Sequence, residues 1–217
     1  MFDSAQARRM MVDCQVRTAD VHNPELLAAM LTLPREHFVP QALAEQAYVD
    51  GELELGKGRA LLAPMVLAKL IEAARLGGGE HVLDVGCGLG YSAAVLARLA
   101  ASVVAVEDGA DMVRQAKSAL AANGSAGITV EQGPLVAGWA AAAPYDFILL
   151  EGATEIVPDD LGRQLKPDGR LACVFGRRPA TKAMLFRLAE GRLVGRPIFD
   201  AGAPPLPGFA AAPAFVF

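Results

Sequence analysis

From residue 64 onward, apolar residues alternate between two periods along the chain. Short, mostly apolar runs predict strands at 81–85, 103–107, 128–132, 145–150 and 169–175. Between them apolar positions recur at helical spacing: Val66, Leu67, Leu70 and Ile71 after Pro64, then Ala94, Val95, Ala97 and Leu99 after Tyr91. The first of these helices is expected to run to Gly77-Gly78-Gly79, and others are expected from about Ala110 and near Pro158. The third connection, around Trp139, is short and rich in alanine, and its helix is the least marked. Strands and helices in strict alternation predict an α/β fold with a doubly wound, mostly parallel sheet.

Both ends depart from that alternation. Residues 2 to about 17 are helical in character through Met10, Met11, Cys14 and Val16. A second helix is expected at Asn23-Pro24, with Asn23 as N-cap, Pro24 at the first helical position and Leu26, Leu27, Met30 and Leu31 as its stripe. Pro34 and Pro40 bracket a short segment, and residues 51–58 read as an irregular loop. Near the other end, 183–188 and 193–199 flank Glu190-Gly191 as an antiparallel hairpin. A stretch rich in Pro, Gly and Ala then leads to Ala214-Phe215-Val216-Phe217, expected to enter the sheet as a last strand because terminal aromatics need burial.

At 217 residues the chain suits one domain, 1–217, with an N-terminal helical and loop region over 1–62 and an α/β core over 63–217. Hydrophobic residues make up 53% and charged residues 20%, enough to bury a substantial core. A net charge of −4 argues against a nucleic-acid surface, and the adjacent basic pairs Arg8-Arg9 and Arg177-Arg178 read as solvated surface. No apolar run reaches membrane-spanning length, so no membrane partner is expected. Cys14, Cys87 and Cys173 lack metal-type spacing and fit a reducing cytoplasm. His22, His37 and His81 are scattered, so neither a Ser/His/Asp set nor a metal site is expected.

The chemistry is concentrated where the first strand ends. Val82-Leu83-Asp84-Val85-Gly86-Cys87-Gly88-Leu89-Gly90-Tyr91 reads as a buried strand that turns through alternate glycines into a helix. Glycines there let backbone approach a ligand closely, and the helix start aims unpaired N–H groups at it. Glu107, about 20 residues beyond the loop's start, closes the next strand, where an acid commonly holds ribose hydroxyls. Loop and acid together favour a nucleotide-like cofactor over a reading in which Glu107 only caps the next helix. Gly86-x-Gly88-x-Gly90 and the antiparallel ending disfavour a nicotinamide dinucleotide, which wants G-x-G-x-x-G and a second mononucleotide half.

Asp84 before those glycines, together with the terminal hairpin, resembles the class I S-adenosylmethionine methyltransferases, a Rossmann-like fold. The resemblance implies S-adenosyl-L-methionine as cofactor, bound through Asp84, Gly86, Cys87, Gly88, Gly90, Tyr91, Glu107 and Asp108. The opening segment Met11-Val12-Asp13-Cys14-Gln15-Val16-Arg17 resembles the protein-L-isoaspartate O-methyltransferase family. So do Pro34-Arg35-Glu36-His37-Phe38-Val39-Pro40, Ala47-Tyr48 and Leu165-Lys166-Pro167-Asp168-Gly169-Arg170-Leu171. That family implies methylation of isoaspartyl carboxylates in damaged proteins, with an isoaspartyl protein or peptide as partner. It leaves monomer and dimer both open.

The likeness breaks at the acceptor loop. The family's approximate G-x-T-x-S-x-P is here Gly58-Arg59-Ala60-Leu61-Leu62-Ala63-Pro64, so Ala60 and Leu62 replace the two hydroxyl residues and leave no catalytic group assigned. Gly133-Pro134-Leu135 replaces the usual G-D-G, and Glu151 stands where small residues are usual. Glu151 is a candidate for substrate or cofactor contact, or for capping the helix near Pro158. Arg59 reads either as a charged fork at the site or as an exposed loop arginine. Two functions follow: an isoaspartyl methyltransferase, or a divergent homologue that binds cofactor but has another acceptor or none, as a non-catalytic interaction module.

Overall fold

The computed structural model describes residues 2–212. Seven strands form the main sheet in the order β5-β4-β3-β6-β7-β8-β9. Five are parallel: β3 (His81–Val85), β4 (Ser102–Glu107), β5 (Ile128–Gln132), β6 (Tyr145–Thr154) and β7 (Leu165–Arg177). From β3 the chain builds outward through β4 to β5, then returns to β3's other side with β6. That reversal makes the crest between β3 and β6 the switch point at which open α/β sheets bind ligands. The last two strands, β8 (Ala180–Ala189) and β9 (Arg192–Asp200), pair antiparallel around Glu190-Gly191 as expected.

Helices cover both faces. On one side lie α1 (Ser4–Met11), α2 (Pro24–Thr32), α3 (Pro64–Ala74), α4 (Tyr91–Leu96) and α5 (Ala110–Ala122), which share one core with Val82, Phe147 and Val174 of the sheet. The opposite core joins Leu83, Val85, Ile148 and Leu171 to Leu161 of α6 (Asp159–Arg163). Asn23 caps α2 as its position suggests, its Oδ1 accepting from the Glu25 and Leu26 amides at 2.9 and 3.0 Å. No helix among the described residues is long and apolar enough to cross a membrane.

Several local expectations are corrected. Residues 51–58 are not an irregular loop: β1 (Leu53–Gly56) pairs antiparallel with β2 (Arg59–Leu61), with Leu53 opposite Leu61 and Glu54 opposite Ala60. The connection around Trp139 holds two 3-10 turns, Leu135–Ala137 and Ala140–Ala142, in place of a helix. The helix after Pro64 stops at Ala74, where Arg75 takes a left-handed φ of 52°, short of the triple glycine. The expected strand at 214–217 lies outside the described residues. The preceding tail is no free linker: Ala203, Leu206 and Phe209 are buried, and Leu206 and Ala153 are joined by an N–H···O bond of 2.8 Å across the crest.

Candidate cofactor and acceptor site

The turn between β3 and α4 is shaped by three glycines in the left-handed region, with φ of 80° at Gly86, 55° at Gly88 and 95° at Gly90. Two backbone bonds fix it: the Gly86 amide donates to the Val106 carbonyl at 2.8 Å, and the Gly90 amide to Cys87 at 2.8 Å. Side chains of other segments press against this backbone. Leu55 Cδ1 lies 2.8 Å from where a Cβ on Gly88 would stand, and Leu206 Cδ1 lies 2.9 Å from the equivalent point on Gly86. Cys87 is buried, and burial followed by the Asp84 and Glu107 charges pushes its thiol well up. Its thiol is thus held in the protonated, weakly nucleophilic form.

Glu107 ends β4 beside that turn with no exposed surface. Its Oε2 accepts from the Gly88 amide at 3.0 Å and its Oε1 from the Asp108 amide at 2.9 Å. Arg59 then donates its Nε to both oxygens, at 2.9 and 3.0 Å. Arg59 Nη2 stands 2.9 Å from Asp108 Oδ1. Burial pushes the Glu107 carboxyl up, and the Arg59 charge opposes it. The exposed-loop reading of Arg59 is thereby overturned, since the residue is only 2% exposed. The reason is the β1–β2 pairing: strand alternation turns Arg59 and Leu61 inward and leaves Ala60 between them half-buried.

Two further carboxyls lie next to this pair. Asp84 Oδ2 accepts the Ser92 hydroxyl at 2.6 Å, while its Oδ1 is buried with no partner. Burial raises Asp84 to about 7; the Ser92 hydroxyl opposes this and the Glu107 charge adds to it. Glu151 follows the core run of β6, its Cβ 3.7 Å from the point a Gly86 Cβ would occupy. Burial first, then the Asp84 charge, pushes its carboxyl well above the usual range, against the pull of Arg35, and Oε1 has no partner. Capping is removed from the choices for Glu151, because α6 starts at Asp159 behind Pro158 with no side-chain cap.

Arg35, which nothing in the residue pattern singled out as functional, ties the site together. It is 1% exposed, its Nε donating to the Ala47 carbonyl and its Nη2 to the Leu62 carbonyl, each at 2.7 Å. Those two carbonyls flank the β1–β2 excursion. The guanidinium also lies 4.8 Å from the centre of the Tyr91 ring, at the start of α4. One cation therefore fixes both ends of the hairpin against the helix behind the glycine turn. The available signal was Pro34-Arg35-Glu36-His37-Phe38-Val39-Pro40, whose arginine sits mid-motif.

Asp84, Gly86, Cys87, Gly88, Gly90, Glu107 and Asp108 thus converge at the carboxyl ends of β3 and β4, with Arg59 and Glu151 beside them. Tyr91 follows them at the start of α4, its side chain buried against Phe38 and Arg35. Of the two positions where hydroxyls were expected, Ala60 lies half-buried in β2, and Leu62 is a core residue, 1% exposed. Leu62 is packed into the hydrophobic interior.

The family model for protein-L-isoaspartate(D-aspartate) O-methyltransferase matches residues 6–196. A protein-L-isoaspartate O-methyltransferase of Methylorubrum extorquens is 42% identical over 190 residues, spanning 88% of this chain and 82% of the relative. That of Methylorubrum populi is 43% identical, over 88% and 87% of the two chains. Among solved structures, a protein-L-isoaspartate O-methyltransferase superposes with a TM-score of 0.79 at 24% identity, over 95% of this chain and 66% of that one. A Plasmodium falciparum protein described as a putative member, in complex with S-adenosyl-L-homocysteine, gives 0.75 at 15% identity over 94% and 98%.

Proposed function

The chain belongs to the protein-L-isoaspartate(D-aspartate) O-methyltransferase family, and from that premise we propose that it is a cytoplasmic S-adenosylmethionine-dependent methyltransferase acting on isoaspartyl carboxylates of damaged proteins. The observation that carries the reading is the convergence of the glycine turn with Asp84 and Glu107 on the sheet crest. The donor set suits the cofactor. Positive φ at three glycines gives an approach that any side chain would block, and Asp84 keeps a buried oxygen without a partner. Glu107 is the acid for the ribose hydroxyls, and Asp84 with the turn is the cradle for the methionine end.

S-adenosylmethionine supplies, when bound, a methyl carbon already activated by its sulfonium. An acceptor carboxylate is itself a nucleophile, so this chain's residues need only align the two and exclude water. No general base is required, which suits a site whose spare carboxyls, Asp84 and Glu151, are held up by burial. The hairpin and the tail segment around Leu206, which here lie on the glycine turn, would exclude water by closing over a ligand bound there.

A second reading, in which the cofactor is kept and the acceptor has changed or been lost, draws on Ala60 and Leu62. Neither side chain can donate a hydrogen bond to a carboxylate. The separating experiment offers tritiated S-adenosylmethionine together with an isoaspartyl peptide and its ordinary aspartyl counterpart. Base-labile label on the isoaspartyl peptide alone is the expected result. Calorimetric binding of S-adenosylhomocysteine without any label on the peptide would replace this reading by the second one, and loss of both would remove the cofactor as well.

A further inference from the structure

We propose that the β1–β2 hairpin is an internal plug, with Arg59 occupying Glu107 in the ligand-free protein, so that the cofactor binds only after the hairpin lifts. This rests on the cofactor reading above and concerns what stands in the same crevice. The carboxylate of Glu107 already accepts from Arg59 Nε, the Gly88 amide and the Asp108 amide. A ribose diol would have to donate to those same two oxygens, and it meets the guanidinium first. Guanidinium and diol are therefore alternatives on one carboxylate.

The apolar contacts have the same consequence. A turn with three positive-φ glycines leaves its backbone bare for close approach, yet Leu55 of the hairpin lies on Gly88 and Leu206 of the tail on Gly86 and Gly152. Hairpin and tail also meet each other: Pro207 Cγ is 3.2 Å from where a Gly58 Cβ would stand. Arg178 links the two, donating its Nε to the Ala203 carbonyl at 3.0 Å and reaching Glu52 with Nη2. At the tip, Lys57 pairs with Asp111 of α5 at 3.3 Å. A basic pair that reads as solvated surface therefore includes the residue that ties the cover down.

The cover is built to open. Two strands of four and three residues make a hairpin too small to stand alone, so it is held by what it touches. Arg35 anchors the chain on either side of it at Ala47 and Leu62, so lifting would be confined to the stretch between them. Gly56 and Gly58, at φ of 91° and 71°, flank the turn. Of the contacts at the tip, Arg59 with Glu107 is the buried ion pair, the others being apolar or exposed. Releasing it raises the open fraction, and apparent affinity rises in proportion to that fraction.

The test compares wild type with Arg59→Ala by calorimetric titration with S-adenosylhomocysteine and by amide hydrogen exchange of residues 53–61 without ligand. The expected result is binding at least about tenfold tighter in the variant, with faster exchange across the hairpin. Binding seen in the variant alone supports the plug as well. Equal affinities, or weaker binding in Arg59→Ala, would overturn the plug and leave the cofactor reading standing. Binding by neither protein would overturn both. Should Arg59→Ala fail to fold, Glu52→Ala removes the acceptor that holds the hairpin to Arg178 without uncovering a buried charge. About twofold tighter binding then supports the plug, and unchanged affinity with unchanged exchange rejects it.

Discussion

The glycine turn and the β1–β2 hairpin meet at the same crevice but are built in opposite ways. The turn works through backbone: its positive φ angles fall at three alternate glycines, and its amides bond to Cys87 within the turn and to the end of the neighbouring strand β4. The hairpin works through side chains, and its one buried ion pair joins residues 48 positions apart. The turn places three glycines in the left-handed region, whereas the hairpin and the residue after it carry Ala60 and Leu62, without hydroxyls, and turn Arg59 onto Glu107. Cofactor chemistry constrains a backbone shape, and acceptor chemistry constrains a few side chains. The second is the easier to rewrite without disturbing the fold.

The sharpest way to break that comparison is Glu107→Ala, which belongs to both regions. It leaves the Arg59 guanidinium buried without its main partner and strips the Gly88 and Asp108 amides of their acceptor. A loss of about 3–5 kcal/mol is expected, read from the urea midpoint. Restoring part of that loss with the Arg59→Ala, Glu107→Ala double variant would measure the pair itself. A single variant as stable as wild type would show that the pair does not hold the hairpin.

Asp84→Asn tests the turn alone, through pH. Asp84 is raised by burial from 3.8 to about 7. Over that window the native state holds a proton that the unfolded chain has released. Its contribution to stability is thus fully present below pH 3.8 and is lost as pH rises through about 7. At about 1.4 kcal/mol per pH unit this amounts to roughly 4 kcal/mol. Denaturation between pH 4 and 8 should show a decline in wild type that is correspondingly smaller in the asparagine variant. Identical slopes would mean that Asp84 is ionised across the range.

The hairpin side is tested by separating Ala60 from Leu62. Leu62→Ser removes a core side chain and is expected to cost about 3 kcal/mol, visible as a lower melting temperature. Ala60→Thr, half-buried in an edge-paired strand, should leave melting nearly unchanged. Any gain in isoaspartyl methylation from added hydroxyls should therefore come from Ala60→Thr without a stability penalty. Equal melting of the two variants would show that Leu62 is not held in the core.

Much of the frame was legible because it depends on neighbours in sequence. Strands β3 and β5 fall at the positions their apolar runs mark, Asn23 caps α2, and Glu190-Gly191 turns the terminal hairpin. Each follows from a period, a cap or a turn contained in a few residues. Segments lacking such a period were misread. The short β1 and β2 carry too few alternations to mark a strand, and the alanine-rich stretch around Trp139 tightened into 3-10 turns.

The chain's own residues determined the glycine turn, the acid closing the second parallel strand and the alternation of strands and helices that carries them. Only the tertiary structure decided what those groups touch. It buried Arg35 between Ala47, Leu62 and Tyr91, pointed Arg59 at Glu107, and drew Leu206 across the crest. The physical reason is that backbone conformation answers to local sterics, while the partner of a buried charge is whichever distant group the packing brings within about 3 Å.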